Sequence, residues 1–131
     1  MTPEKEADLR ARYPLVYGEP FLNGEGFRCG DGWYGVLDKL GAELTPLIEQ
    51  EPANVRARFR MVQVKEKFGG LRAYTDREPS AAMQAVIDAA ALVAEETCEE
   101  CGAEGAFRRS GGWIRTLCDE HEAERQERMK R

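Results

Sequence analysis

The 131-residue sequence predicts an α+β fold in which helices pack on a β-hairpin and a short C-terminal subdomain follows. Three observations carry this expectation. Apolar residues recur at helical spacing in two long stretches. Residues 58–75 alternate apolar with polar around a Gly-Gly pair. Three of the four cysteines gather with the only histidine after residue 97. The expected organisation is an α+β core over 1–97, carrying a basic hairpin at 58–75, and a metal-binding subdomain over 98–131.

Taken in order, Thr2-Pro3-Glu4 reads as a helix start, with Thr2 as cap, Pro3 at the first helical position and acids in the first turn. Tyr13-Pro14 ends that helix, because the residue before a proline is pushed out of the helical region. Gly18, Pro20, Gly24, Gly26 and Gly30 then predict an irregular loop pinned by Phe21 and Phe27. Asp31 is the expected cap of a second helix, whose Trp33, Val36, Leu37, Leu40 and Leu44 make one apolar stripe. Thr45-Pro46 either kinks or restarts it, with Leu47 and Ile48 extending the buried side, and Pro52 ends the region. A third helix follows Pro79-Ser80 and places Met83, Val86, Ile87, Ala90, Val93 and Ala94 on one face as far as Thr97.

Between the last two helices lies the hairpin. If Gly69-Gly70 is its turn, Phe68 faces Leu71, Lys67 faces Arg72, Glu66 faces Ala73 and Lys65 faces Tyr74. Alternation then sends Val62, Val64, Phe68, Leu71 and Ala73 to a core side, and Gln63, Lys65, Lys67, Arg72 and Tyr74 to a basic side.

Composition bounds the function. With 42% hydrophobic and 33% charged residues and a net charge of -5, the chain is expected to form a core without disulfides. No apolar run reaches the ~20 residues of a membrane span, and the polar N-terminus does not read as a signal peptide. The expected location is intracellular. The acidic balance argues against a generic nucleic-acid coat. The average conceals strong segregation: the nets of 1–54, 55–72, 73–107 and 108–131 are -5, +5, -7 and +2. A basic insert thus lies between acidic stretches.

The cysteines carry the sharpest chemistry. Cys98-Glu-Glu-Cys101-Gly and, 16 residues on, Cys118-Asp-Glu-His121 form two C-x2-(C/H) elements at zinc spacing, since each gap lets two side chains converge on one tetrahedral edge. Residues 98–102 read as a knuckle, and 107–117 as a second hairpin turning at Ser110-Gly111-Gly112. Cys118 and His121 lie in the first turn of a polar C-terminal helix. Two glutamates between Cys98 and Cys101 oppose the thiolate that a redox motif requires. A disulfide does not suit a reducing compartment. Four protein ligands leave no open position, so the expected cofactor is one structural Zn2+ per chain, held by Cys98, Cys101, Cys118 and His121. Its role is stability, because 98–131 has few apolar residues of its own. Cys29 reads as a buried small side chain beside Trp33 in preference to a reactive thiol.

Knuckle, hairpin and ligand-bearing helix, in that order, resemble a treble-clef zinc finger over 98–125. Separately, CGDGWYGVLDKL, VQVKEKFGGLRAY and CEECG followed by GGWIRTLCDEH resemble a group of small phage, prophage and bacterial proteins, over residues 13–123. That second resemblance implies a mobile-element setting and the cytoplasm of a bacterial host. It carries over no catalytic or binding residue.

No enzyme is expected. With His121 committed to metal, no histidine is left for acid–base work. Ser80 and Ser110 lack a nucleophile context, and the second hairpin lacks the catalytic histidine of the His-metal nucleases. Gly69-Gly70 does not match a phosphate loop. Two binding surfaces remain. One is Lys65, Lys67 and Arg72 with Tyr74. The other is Arg108, Arg109 and Arg115 with Trp113, extended by the terminal Arg125, Arg128, Lys130 and Arg131. Each reads either as a contact for an anionic partner or as solvated side chains paired with flanking acids. The terminal helix itself reads as solvated. The expected function is recognition of another protein, as a phage or mobile-element inhibitor or counter-defence factor. The alternative is a DNA- or RNA-binding zinc-finger regulator; no membrane partner is expected.

Overall fold

The computed structural model describes residues 1–131. Helix α1 (Pro3–Arg12) starts where its cap predicts: the Thr2 hydroxyl accepts from the Lys5 amide at 3.4 Å, and Tyr13 ends the helix before Pro14. A single turn, α2 (Pro14–Tyr17), follows in the stretch expected to be irregular. Arg10 holds the rest of that stretch. Its guanidinium lies over the Phe21 and Phe27 rings at 4.3 and 5.1 Å and donates to the carbonyls of Tyr17 and Glu19.

Helix α3 (Tyr34–Glu49) begins one turn later than the cap reading implied, after a 3-10 turn over Asp31–Trp33. Asp31 does not cap it. Its carboxylate instead accepts from the Thr2 amide at 2.9 Å and pairs with Lys5 at 3.6 Å, joining the loop to the start of α1. Pro46 neither stops nor restarts α3, which continues to Glu49 while the Thr45 hydroxyl bonds back to the Gly41 carbonyl. After the short α4 (Ala53–Arg56) come β1 (Met61–Lys67) and β2 (Gly70–Thr75), an antiparallel pair. Ser80 caps α5 (Ala81–Ala94), which packs against α3 and β2. Beyond it lie β3 (Ala106–Arg108), β4 (Arg115–Leu117) and α6 (Asp119–Met129). The fold is thus mixed helix and strand with two small antiparallel hairpins. No helix is long and apolar enough to cross a membrane.

The first hairpin corrects the expected register. Lys67 pairs with Gly70, Lys65 with Arg72, Val64 with Ala73 and Gln63 with Tyr74, so the turn is Phe68-Gly69 and not Gly69-Gly70. Both turn residues have positive φ, 53° and 81°, as a type I′ turn requires. Moving the turn by one residue leaves every strand side chain on its expected face, but it takes Phe68 off the core side and into solvent. One local and one long-range hydrogen bond hold this turn. The Gly69 amide donates to the Glu66 carboxylate at 2.7 Å, and its carbonyl accepts from the buried Thr116 hydroxyl at 2.6 Å. A bulge between Met61 and Gln63 lets both Met61 and Val62 turn inward. The outer edge of β1 is covered by Arg28, bonded through its amide to Val64 and through its carbonyl to Glu66, both at 2.9 Å.

One cluster of 21 buried apolar residues runs from Leu9 to Ala94 and takes in the predicted stripe of α3 and, from α5, Met83, Ile87, Ala90 and Ala94; Val86 packs on its edge, and Val93, expected on the same face, is exposed because it lies at the rim of the helix contact. Cys29 belongs to it; burial pushes its thiol pKa up to about 12, which leaves it un-ionised and inert. After residue 97 the only other cluster is Cys98, Leu117 and Cys118.

Candidate metal centre and its surroundings

The chain from Thr97 to Gly102 forms a tight knuckle, closed by the Gly102 amide on the Cys98 carbonyl at 2.9 Å and the Cys98 amide on the Ala103 carbonyl at 2.7 Å. Strands β3 and β4 pair with Phe107 opposite Thr116 and Arg108 opposite Arg115, and deliver Cys118 to the start of α6. Cys118 is the N-cap: its sulfur accepts from the His121 amide at 3.4 Å, which places both side chains in the first turn of the helix.

Cys98, Cys101, Cys118 and His121 therefore converge. Their ligand atoms all lie within 4.8 Å of one another, and the group could hold a metal ion. The spacing suits a tetrahedral ion with sulfur at about 2.3 Å and nitrogen at about 2.0 Å, for which the S···S edge is about 3.8 Å and the S···N edge about 3.5 Å. Cys101 and Cys118 sulfurs are 3.8 Å apart, and Cys98 sulfur lies 3.6 Å from His121 Nδ1; the Cys118 sulfur approaches the same nitrogen to 3.2 Å. Nδ1 is thus the atom placed to ligate an ion held there. Nε2 faces outward, 3.7 Å from Glu100 and 3.9 Å from Glu124, carboxylates suited to orienting the ring. Burial raises the Cys98 thiol, but N–H groups of Cys118, Cys101 and Glu100 directed at its sulfur outweigh that and bring it down to about 7.

Glu99, between the first two ligands, has a role the sequence reading missed. Its side chain is buried, and one oxygen accepts from the Gly30 amide at 2.9 Å while the other meets Arg115 at 3.4 Å. Burial pushes its carboxyl up, against Gly30 and Arg115, which favour the charged form. Its carbonyl accepts from the Gly32 amide at 2.8 Å, and the Trp33 indole donates to the Thr97 carbonyl at 2.9 Å. A Cβ on Gly32 would collide with the carbonyls of Cys98 and Glu99, so only glycine admits the knuckle this close. The Cys-Gly-Asp-Gly-Trp segment is the receptor for the knuckle. Its closely spaced glycines were the available signal.

The expected partner-binding residues separate into two sets. Arg108 is bonded to the Leu117 carbonyl at 3.0 Å and Asp119 at 2.8 Å, and Arg115 lies between Glu99 and Glu100. Both are neutralised within the chain. Arg125 also turns inward, contrary to a fully solvated α6: buried along with Glu122, it donates to the Ser110 and Trp113 carbonyls and closes the turn of the second hairpin. By contrast, Lys65, Lys67, Arg72 and Arg109 form no ion pair. Lys65 and Arg72 stand directly opposite each other as like charges, with Tyr74 exposed two pairs further along on the same face. Comparison with protein-family models, curated proteins and solved structures found no match.

Proposed function

We propose that this chain is a zinc-stabilised, non-enzymatic binding protein that recognises another protein, acting in a bacterial cytoplasm as a phage or mobile-element inhibitor or counter-defence factor. Three thiols and one imidazole are a donor set that favours zinc, and four protein ligands make the site structural. The order of knuckle, hairpin and N-capping Cys118 supports the treble-clef reading of 98–131.

The observation that carries protein recognition is the face bearing Lys65, Lys67 and Arg72. Opposed like charges on neighbouring strands destabilise a hairpin, and no carboxylate of the chain lies within ion-pair distance of them. An acidic patch on a partner supplies what is missing. A nucleic-acid partner is the weaker reading. Arg108 and Arg115, which would extend the positive field across the finger, are already answered by Asp119, Glu99 and Glu100.

The test is capture of a stoichiometric complex from host lysate, identification of the captured protein by mass spectrometry, and reconstitution with the purified partner. Changing Lys65, Lys67 and Arg72 together to Glu should abolish the complex. Retention of full affinity removes this face from the account. Binding to DNA or RNA that falls steeply with salt, in place of a protein complex, favours the alternative.

A further inference from the structure

The tips of the two hairpins meet, and the cleft between them has about 390 Å³ of space, within the roughly 300–1,000 Å³ of side-chain and small-ligand pockets. Its lining is Glu66, Lys67, Phe68, Gly112, Trp113 and Ile114. Phe68 and Trp113 are the two most exposed large apolar side chains of the chain, at 69% and 66%. Two aromatic side chains left in water beside one cleft are unlike the buried aromatics of the core.

Phe68 is anomalous in its backbone as well. At φ 53° it occupies the left-handed region, at a turn position that asparagine and glycine fill without strain. A bulky residue there is strained, and its ring, largely exposed with only the Lys67 ammonium over it at 5.7 Å, gains little burial in return. The fold would be better served by a small polar residue. The strain therefore points to work done by the ring outside the chain. Around the cleft the charge is positive: Lys67 on its rim, and Lys65 and Arg72 on the adjoining strand face, all without ion-pair partners. Glu66, the one carboxylate in the lining, is bonded to the Gly69 amide at 2.7 Å and serves the turn.

We infer that this cleft is the anchor pocket of the proposed protein interface, and that it takes an aromatic side chain from a partner segment whose flanking residues are acidic. Phe68 and Trp113 grip the ring, Ile114 and Gly112 lie beneath it, and the lysines and Arg72 meet the carboxylates. The inference rests on the protein-recognition reading and gives it a partner chemistry. A nucleic-acid strand fits less well, since one cleft offers no run of successive stacking platforms and the lining contains a carboxylate.

Fluorescence anisotropy on the 131-residue, zinc-loaded chain tests this. The probes are a labelled heptapeptide of alternating Asp and Glu with a central Trp, the same peptide with Ala at the centre, a Lys-flanked Trp peptide, and a labelled twelve-nucleotide oligothymidine. The acidic Trp peptide should bind at least ten-fold more tightly than the other three. Phe68→Asn and Trp113→Ala should each weaken it ten-fold or more, while Phe68→Asn raises the thermal midpoint, so that lost binding is not lost folding. Equal affinity for the two acidic peptides, no peptide binding, or preference for the oligonucleotide overturns the pocket. The two proposals fail differently. If the identified partner is lost on charge reversal of Lys65, Lys67 and Arg72 but bound normally by the Phe68 and Trp113 variants, the pocket is wrong and protein recognition stands.

Discussion

The Gly32 amide donates to the Glu99 carbonyl at 2.8 Å, so the knuckle that carries Cys98 and Cys101, two of the four candidate metal ligands, is fastened to the helical core by main-chain atoms. Approach this close excludes any side chain at position 32. Gly32→Ala should therefore lower stability by about 1–3 kcal/mol, the range for forcing a group into a packed contact. Gly35→Ala, three residues on in α3 and facing open space, should change stability by less than about 1 kcal/mol and in the favourable direction. Denaturant titration of both variants checks the contrast; equal effects would show that helix propensity, and not docking, governs this segment.

Metal removal should unfold the C-terminal part selectively. The large apolar cluster lies within residues 9–94, while 98–131 contributes only Cys98, Leu117 and Cys118 to a cluster of its own. Elemental analysis is expected to find one zinc per chain. Chelation, or Cys118→Ser, should reduce far-UV helical signal by the share of α6 and expose the Cys98 and Cys101 thiols to alkylation, while Trp33 keeps the blue-shifted emission of a buried indole. Absence of zinc with both thiols freely alkylated in the untreated protein contradicts the site.

Metal affinity should weaken on acidification. The Cys98 thiol, held at about 7, is depressed from its ordinary value, so the advantage of its charged form is present above that ordinary value and is lost as pH falls through about 7. The His121 ring, raised by the hydrogen bond to the Cys118 sulfur, likewise carries a proton that must leave before Nδ1 can bind a metal. With two or more protons released per ion, the apparent dissociation constant should rise by at least about 100-fold per pH unit below neutrality. A competition titration with a chromophoric chelator from pH 7.5 to 5.5 reads this slope, and a flat profile contradicts thiolate ligation.

Phe68→Asn is expected to stabilise the protein. It converts the turn to Asn-Gly, the preferred type I′ pair, and relieves a left-handed phenylalanine whose ring is in solvent. The gain should be about 1 kcal/mol, visible as a rise in the thermal midpoint. A loss of stability would mean that the ring contributes to packing at the hairpin junction.

Much of this molecule follows from local signals. The Thr2 cap, the stripe of α3, most of that of α5 and the spacing of the four candidate ligands depend on residues a few positions apart, and each is where periodicity or spacing places it, Val93 excepted. The turn of the first hairpin is different. Gly69-Gly70 and Phe68-Gly69 assign every strand residue to the same face, so alternation is blind to the choice. The observed turn is held by the Gly69 amide on the Glu66 carboxylate and by the Gly69 carbonyl, which accepts from the buried hydroxyl of Thr116, 47 residues away.

The same holds for charge. Counting located the positive segments, but a count does not say which cations are already answered. Arg108, Arg115 and Arg125 find carboxylates or carbonyls only because the cysteine-bearing segment folds back on itself, whereas Lys65, Lys67 and Arg72 face outward. The sequence by itself determined the Cys3His cluster and most of the helix faces, because coordination spacing and helical period are short-range properties. Only the tertiary structure decided which glycine turns the hairpin, which arginines are free and where the aromatic cleft lies, because each depends on contacts between segments far apart in the chain.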